Sequence, residues 1–481
     1  METPKIIGQG AYGCVFQPGI NCNGEPSNDP EYITKIETKK STIKNEISVS
    51  KKIQTIPNYE EGFSPIIENC PVQLSSIDTK EIEECKIIKT KSNDPNQTEQ
   101  ILEFNKIKYA GKRSLGSYLM VLLKENPERF IEFLVESHLT LLDDIVELNK
   151  VGVIHNDIKE NNIMCRDVDG RPIIIDFGLS MEKEYIFLPT PEPLIGSLLS
   201  TESSQVQPNT RIYKYFFKYD PTYDVWCIDI HLLNYMLDTL NREWLESIVT
   251  QEQINNLLSK IPNREQSEKR FSEFLNMKWL DIILQLNEKG DDEWIELIYD
   301  NYGYQWRTKP ADTINIVING YIDGFMTKDD GSIKSQLFTK DELDAYRVQL
   351  TEFFSKYQTQ PWEMLFNDLI TYQETWDNYA LSMVYITIMK MLELNDSEKI
   401  TAYISELKTT ILSDPNNRKR AEMTKNEIIQ VLSTVPKTMY ENLMEIIFGS
   451  KDKHSELHSE MVTTQLDEVK NEALLYQSKR L

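Results

Sequence analysis

The stretch His155-Asn156-Asp157-Ile158-Lys159-Glu160-Asn161-Asn162, followed later by Asp176-Phe177-Gly178, carries carboxylates, a carboxamide and an ammonium at spacings that suit magnesium-nucleotide phosphoryl transfer. Asp157 can accept a proton from an incoming hydroxyl, and Lys159 can neutralise the moving phosphoryl group. Asn162 and Asp176 can hold metal ions between phosphates. Such chemistry is mostly positioning and charge neutralisation, so a few hard-oxygen ligands suffice. Near the start of the chain, Gly8-Gln9-Gly10-Ala11-Tyr12-Gly13-Cys14-Val15 fits the pattern G-x-G-x-x-G-x-V. Glycines at these positions let backbone amides approach phosphate oxygens without side-chain obstruction.

The elements that must position these groups follow from local patterning. A dinucleotide-binding turn would need a helix after the third glycine. Here Cys14-Val15-Phe16-Gln17 is β-like and ends at Pro18, which predicts a hairpin instead. Tyr32 to Glu37 reads as a strand. It carries Lys35 between apolar neighbours, where an ammonium is costly to bury unless paired. Glu46 is its candidate partner, on a helix for which Ser41 or Thr42 could form the cap. An edge-strand lysine in water is the competing reading, and Lys39 and Lys40 are weaker rivals because they fall in the loop. Further strands are expected at Cys85–Thr90 and Ile101–Ile107. Residues 126–150 have helical periodicity through Phe130, Phe133, Leu134, Leu141, Ile145 and Leu148. Short β segments follow at Ile163-Met164 and Ile173-Ile174-Ile175. From about 222 to 450 the chain is largely amphipathic helix, and Thr339-Lys340-Asp341-Glu342 has capping-box spacing.

Composition narrows the class. The 481 residues suffice for two or three domains with a large core. Acidic residues number 76 against 52 basic ones, for a net charge of −24. This argues against a binder of nucleic acid or anionic membrane. Cys14, Cys22, Cys70, Cys85, Cys165 and Cys227 are scattered, with no C-x-x-C pair. They read as free thiols in a reducing compartment, not as a zinc site. No apolar signal core opens the chain, and the apolar run near Leu381 to Met391 is too short to span a bilayer. A soluble, cytoplasmic protein is the expectation.

These pieces, in this order, resemble a eukaryotic-type serine/threonine protein kinase. The resemblance is anchored over residues 5–180 and partial beyond. It implies an α+β, bilobal protein-kinase-like fold. Residues 1–110 would form a small β-rich lobe and 111–448 an enlarged, mainly helical lobe, with a helical insertion at about 240–375. Residues 449–481 would be a polar tail. It further implies ATP and magnesium as cofactors and a protein as substrate. Ile7, Gly8, Gly10, Gly13 and Val15 would belong to the glycine-rich loop over ATP. Lys35 would contact the α- and β-phosphates and pair with Glu46. Asp157 would be the catalytic aspartate, Lys159 its cationic companion, and Asn162 and Asp176 the metal ligands. Ile107-Lys108-Tyr109-Ala110-Gly111 resembles the segment that joins the lobes, where backbone groups of Lys108 and Ala110 would meet the adenine edge. An ordinary strand-to-helix loop is the alternative there. The loop text and long insertions look most like divergent kinases encoded by large DNA viruses, which would place the protein in host cytoplasm or virion. A scaffold of the same fold with weak turnover, or a small-molecule kinase, are the competing classes.

Three departures from that family stand out. Asn156 replaces the arginine that usually precedes the catalytic aspartate, and a carboxamide cannot pair with phosphate as a guanidinium does. Activation is therefore expected not to depend on a phosphorylated loop read by this residue. No clean A-P-E follows Asp176-Phe177-Gly178, the nearest text being Thr190-Pro191-Glu192. Finally, Asp224-Val225-Trp226-Cys227 and Trp376-Asp377-Asn378-Tyr379 compete for the central helix of the large lobe, and the first is preferred on spacing. The extra acidic helices offer an interaction surface for a protein partner or serve in packing. His155 is expected to be structural.

Overall fold

In the computed structural model, the residues described are 4–9, 13–37, 40–73, 85, 101–188, 212–240, 308–310, 312–326, 337–391 and 401–434. Gly10, residues 86–90 of the expected Cys85–Thr90 strand, Thr190-Pro191-Glu192 and the tail 449–481 lie outside them. The described residues form a mixed α+β protein with a small antiparallel sheet and many helices. They fall into two units. The first runs through Ser180 and takes in Leu381–Thr410 and the chain from Lys419, and the second holds Met181–Ala380 and Ile411–Arg418. No helix among the described residues is long and apolar enough to cross a membrane.

In the first unit, strands β1 (Lys5–Gln9), β2 (Gly13–Gln17), β3 (Tyr32–Glu37), β4 (Ile66–Gln73) and β5 (Ile101–Lys108) form an antiparallel sheet of order β1-β2-β3-β5-β4. The glycine segment is thus a hairpin, as its β-like exit predicts. An irregularity lies between Ile6 and Gly8. One face of the sheet buries Phe16, Ile36, Val72, Leu102 and Phe104 around Cys14 and Cys85. Helix α1 (Lys40–Ile53) begins ahead of Ser41, so neither Ser41 nor Thr42 stands at its cap.

The cysteines overturn the free-thiol expectation. Cys14 is joined to Cys85 with Cα atoms 6.0 Å apart, and Cys22 to Cys70 at 5.9 Å. The bridged residues lie 71 and 48 positions apart in the chain, which no local spacing reveals. Cys165 and Cys227 remain thiols, both buried, and burial pushes each up to about 12.

After β5, a short β6 (Arg113–Ser114) leads into α2 (Leu115–Glu125) and α3 (Pro127–Lys150). The Asn126 side chain accepts from Arg129 N at 3.2 Å, and Pro127 occupies the first turn, so the boundary predicted at 126 has a physical cause. The six apolar residues read from its periodicity are all buried. Strands β7 (Ile163–Cys165) and β8 (Pro172–Ile174) pair antiparallel, with β6 beside β7. The polar signature lies in the loops immediately before β7 and immediately after β8.

The second unit contains α4 (Ile228–Asn234), α5 (Thr313–Gly324), α6 (Lys340–Ser355) and α7 (Trp362–Leu369). Thr339 and Glu342 form the expected capping box at the start of α6. Helix α8 (Trp376–Met391) contributes residues to both units, and α9 (Thr401–Ile411) and α10 (Ala421–Thr434) follow. Asp224 lies in a turn ahead of α4, all seven of whose residues are buried, while Asp377 lies in the first turn of α8, buried along almost its whole described length. Both candidates for the central helix thus lead into buried helices. A helix buried on every side is a core element. The Asp224 segment delivers Asp229. This fully buried carboxylate accepts from Trp376 Nε1 at 2.9 Å and pairs with Arg418 at 2.6 Å.

Candidate phosphoryl-transfer site

Every described residue of the sequence-derived constellation lies in the first unit, and two clusters result. The first centres on Lys35. Its Nζ stands 3.2 Å from Glu46 Oε2 and 3.1 Å from Asp176 Oδ1, which joins β3, α1 and the segment after β8. Lys35 is therefore no edge-strand lysine. A third carboxylate, Glu37, sits 3.1 Å away. Burial opposes the ammonium, but the carboxylates of Asp176, Glu46 and Glu37 outweigh it and hold Lys35 well above the usual lysine range. The same lysine holds Asp176 below the ordinary carboxylate range. Burial pushes Glu46 up to about 8, against the pull of Lys35.

The second cluster centres on Asp157, which is buried. Asn162 Nδ2 donates to Asp157 Oδ2 at 2.8 Å and to the Asp157 carbonyl at 2.9 Å, while Lys159 Nζ lies 3.2 Å from Oδ2. His155 braces this loop. Its Nδ1 accepts from the Asp157 amide at 3.2 Å, so Nε2 carries the hydrogen and donates to the Ile175 carbonyl at 3.0 Å. Its ring meets Phe177 edge-on at 5.0 Å. The two signature segments are stitched together further: Ile175 N donates to the Asn162 carbonyl at 3.0 Å, and Ser180 Oγ to the His155 carbonyl at 3.2 Å. Asn45 on α1 donates to the Ser180 carbonyl at 2.8 Å.

Asn156 and Asp176 both have left-handed backbone, with φ of 63° and 62°. Asn and Asp are the non-glycine residues that tolerate this region best. The Asn156 amide donates to the Leu179 carbonyl at 3.4 Å. The replacement of arginine thus coincides with a backbone position that suits a short polar side chain.

The glycines divide by cause. A Cβ on Gly13 would stand 2.2 Å from the Ile36 carbonyl, so the pairing of β2 with β3 itself demands glycine. Among the described residues, a Cβ on Gly8 would meet only Val15, at an ordinary 3.7 Å. Close approach by a phosphate would require Gly8 to lack a side chain. Ile7 is half exposed on β1, and Val15 faces Lys35 across the β2–β3 pair.

At the end of β5, the Lys108 carbonyl accepts from Ser64 Oγ at 2.5 Å, and the Lys108 ammonium pairs with Glu60. Tyr109 N donates to the Glu31 carbonyl at 2.7 Å. The Lys108 carbonyl thus accepts one hydrogen bond and keeps a second lone pair, and Ala110 follows, half-buried, before Gly111.

The donors present suit magnesium. They are a half-exposed Asp176 carboxylate and the Asn162 carboxamide, both hard-oxygen groups. No group of three or more His, Cys, Asp or Glu forms a cage for a metal among the described residues. Magnesium on a nucleotide needs no such cage, because phosphates and waters supply most of its ligands.

Sequence reasoning missed Glu37 and its neighbour Asn105. The signal was present, since Lys35 and Glu37 are two apart on a strand and share a face.

No known family profile matches the chain. Among curated proteins, the protein kinase YpkA of Yersinia pseudotuberculosis and that of Yersinia pestis are each 40% identical to it over 72 residues, 14% of this chain. The chain spans about a tenth of the length of these relatives, 10% in each case. Likeness over so short a stretch supports a kinase relationship, and it does not speak for the viral branch.

Proposed function

We propose that this chain transfers the γ-phosphoryl group of ATP to serine or threonine hydroxyls of a protein, with magnesium. The observation that carries this reading is the meeting of Lys35, Glu46 and Asp176, drawn from three elements, within 3.2 Å. The Asp157–Asn162–Lys159 cluster and the short likeness to a bacterial protein kinase support it. Lys35 would hold the nucleotide phosphates under the glycine hairpin, whose strands carry Gly8, Gly13 and Val15, and Gly10 would share in that role. Asp157, fixed by Asn162 and Lys159, would orient the acceptor hydroxyl and take its proton. Lys159 would offset charge on the phosphoryl group as it moves. Asn162 and Asp176 would hold magnesium, which supplies charge neutralisation at the phosphates. The backbone at Lys108 and Ala110 would meet the adenine. In this reading the first-unit sheet is the small lobe of a bilobal kinase, and the helices before α8 are the enlargement.

The test is transfer of radiolabelled γ-phosphate, with protein and metabolite acceptors offered side by side. Asp157→Asn, Lys35→Met and Asp176→Asn should each lower turnover by roughly 100-fold or more. Lys35→Met should also lower the melting temperature, because it leaves the buried Glu37 and Glu46 carboxylates without their cation. Full phosphotransfer by the Lys35→Met or Asp176→Asn protein would show that the roles are misassigned. Transfer to metabolites alone would replace the protein substrate in this reading.

A further inference from the structure

Glu37 is buried, acidic and absent from the site as read from sequence. Its Oε1 lies 3.1 Å from Lys35 Nζ. Its Oε2 accepts from Asn105 Nδ2 at 2.8 Å, and Asn105 Oδ1 in turn accepts from Asn69 Nδ2 at 2.8 Å. Lys35 pairs with Asn105 across β3 and β5, and Asn105 with Asn69 across β5 and β4. Three neighbouring strands thus line up one residue each behind the lysine. Both oxygens of the carboxylate are fixed, one by a cation and one by a carboxamide that is itself held. A carboxylate costs several kcal/mol to bury, on the order of magnitude for an ion leaving water, unless its partners compensate it. Here those partners are built into the sheet.

We propose that Glu37 is a positioning residue that fixes the ammonium of Lys35 from its own strand, independently of Glu46. The proposal rests on the phosphate-binding role assigned to Lys35 above. Glu46 arrives on α1, so its grip depends on how that helix is seated. Glu37 lies two residues from Lys35 on one strand and moves with it, and the Asn105–Asn69 relay ties its orientation to the middle of the sheet. The lysine therefore keeps an anionic partner whether or not α1 is docked. Nucleotide binding by this chain should then survive disturbance of the helix better than a lysine with Glu46 alone would allow.

The experiment measures the dissociation constant for magnesium-ATP, and kcat and KM for ATP, in the full chain and in Glu37→Gln, Glu46→Gln and the double variant. Each is also made in a Lys35→Met background. Glutamine keeps a polar partner for Asn105, so the fold is preserved, and melting temperature is followed throughout. Either single variant should weaken nucleotide binding by roughly tenfold at most, and the double variant should fall to the level of Lys35→Met. In the Lys35→Met background, Glu37→Gln should change nothing further. An effect of equal size in both backgrounds, or a change in melting temperature with binding untouched, would overturn the role of Glu37 while leaving the proposed function standing. A wild-type chain that binds no magnesium-ATP would overturn both.

Discussion

Gly13 is the residue whose replacement has the most direct structural consequence. A methyl group there collides with the Ile36 carbonyl, so β2 and β3 must part where they present Cys14 and Lys35. Gly13→Ala should cost on the order of 2 kcal/mol or more in chemical denaturation and weaken nucleotide binding together with it. His138 makes a second prediction. Its ring is fully buried, stacked on Tyr385 at 4.1 Å and joined to the Tyr403 hydroxyl at 2.7 Å, and burial lowers its pKa to about 3. The folded state thus binds this proton less readily than the unfolded chain. The stabilisation is whole above the unfolded value near 6.5 and is lost as pH falls towards 3, by about 1.4 kcal/mol per pH unit. Denaturation curves at pH 7 and pH 5 should differ accordingly, and His138→Gln should flatten that difference. Lys35 and Glu46 could be paired on paper because a buried lysine on a strand needs an anion, and the next helix offers one. The histidine could not be interpreted that way. Its partners Tyr385 and Tyr403 lie 247 and 265 residues on, and no local pattern connects them.

At the scale of elements, strands β1, β2, β3 and β5, the hairpin and the long α3 were legible because alternation, glycine, proline and the Asn126 cap all act locally, whereas β4 was not read. The cysteine pairing was not legible either, because it depends on which distant segments meet: Cys14 on β2 meets Cys85, and Cys70 on β4 meets Cys22. Two covalent links therefore reinforce the sheet that carries the glycine hairpin. Thiol titration of the denatured, unreduced chain should find two reactive groups, Cys165 and Cys227, and six after reduction. Six before reduction would refute the pairing. Replacing either disulfide by serines should cost roughly 2–4 kcal/mol in unfolding free energy. The choice between Asp224 and Asp377 was not legible for a related reason: both segments match the family text, and both lead into buried helices.

For the molecule as a whole, the second unit depends on a buried charge pair as well as on apolar packing. Arg418 and Asp229 are almost fully shielded from water, and Arg418 also lies over the Tyr379 ring at 5.9 Å. Removing one partner leaves the other charge uncompensated, so Arg418→Met should destabilise the chain by about 3–5 kcal/mol in urea titration. The cluster around Lys35 has a different reach. Three acidic side chains face one ammonium there, in a polypeptide of net charge −24. A triphosphate diffusing in without a divalent ion meets repulsion at long range, whereas one already carrying magnesium meets far less. Encounter rates for the metal-free nucleotide should therefore climb as inert salt is added, while those for the magnesium form, which keeps about half the negative charge, should climb less steeply.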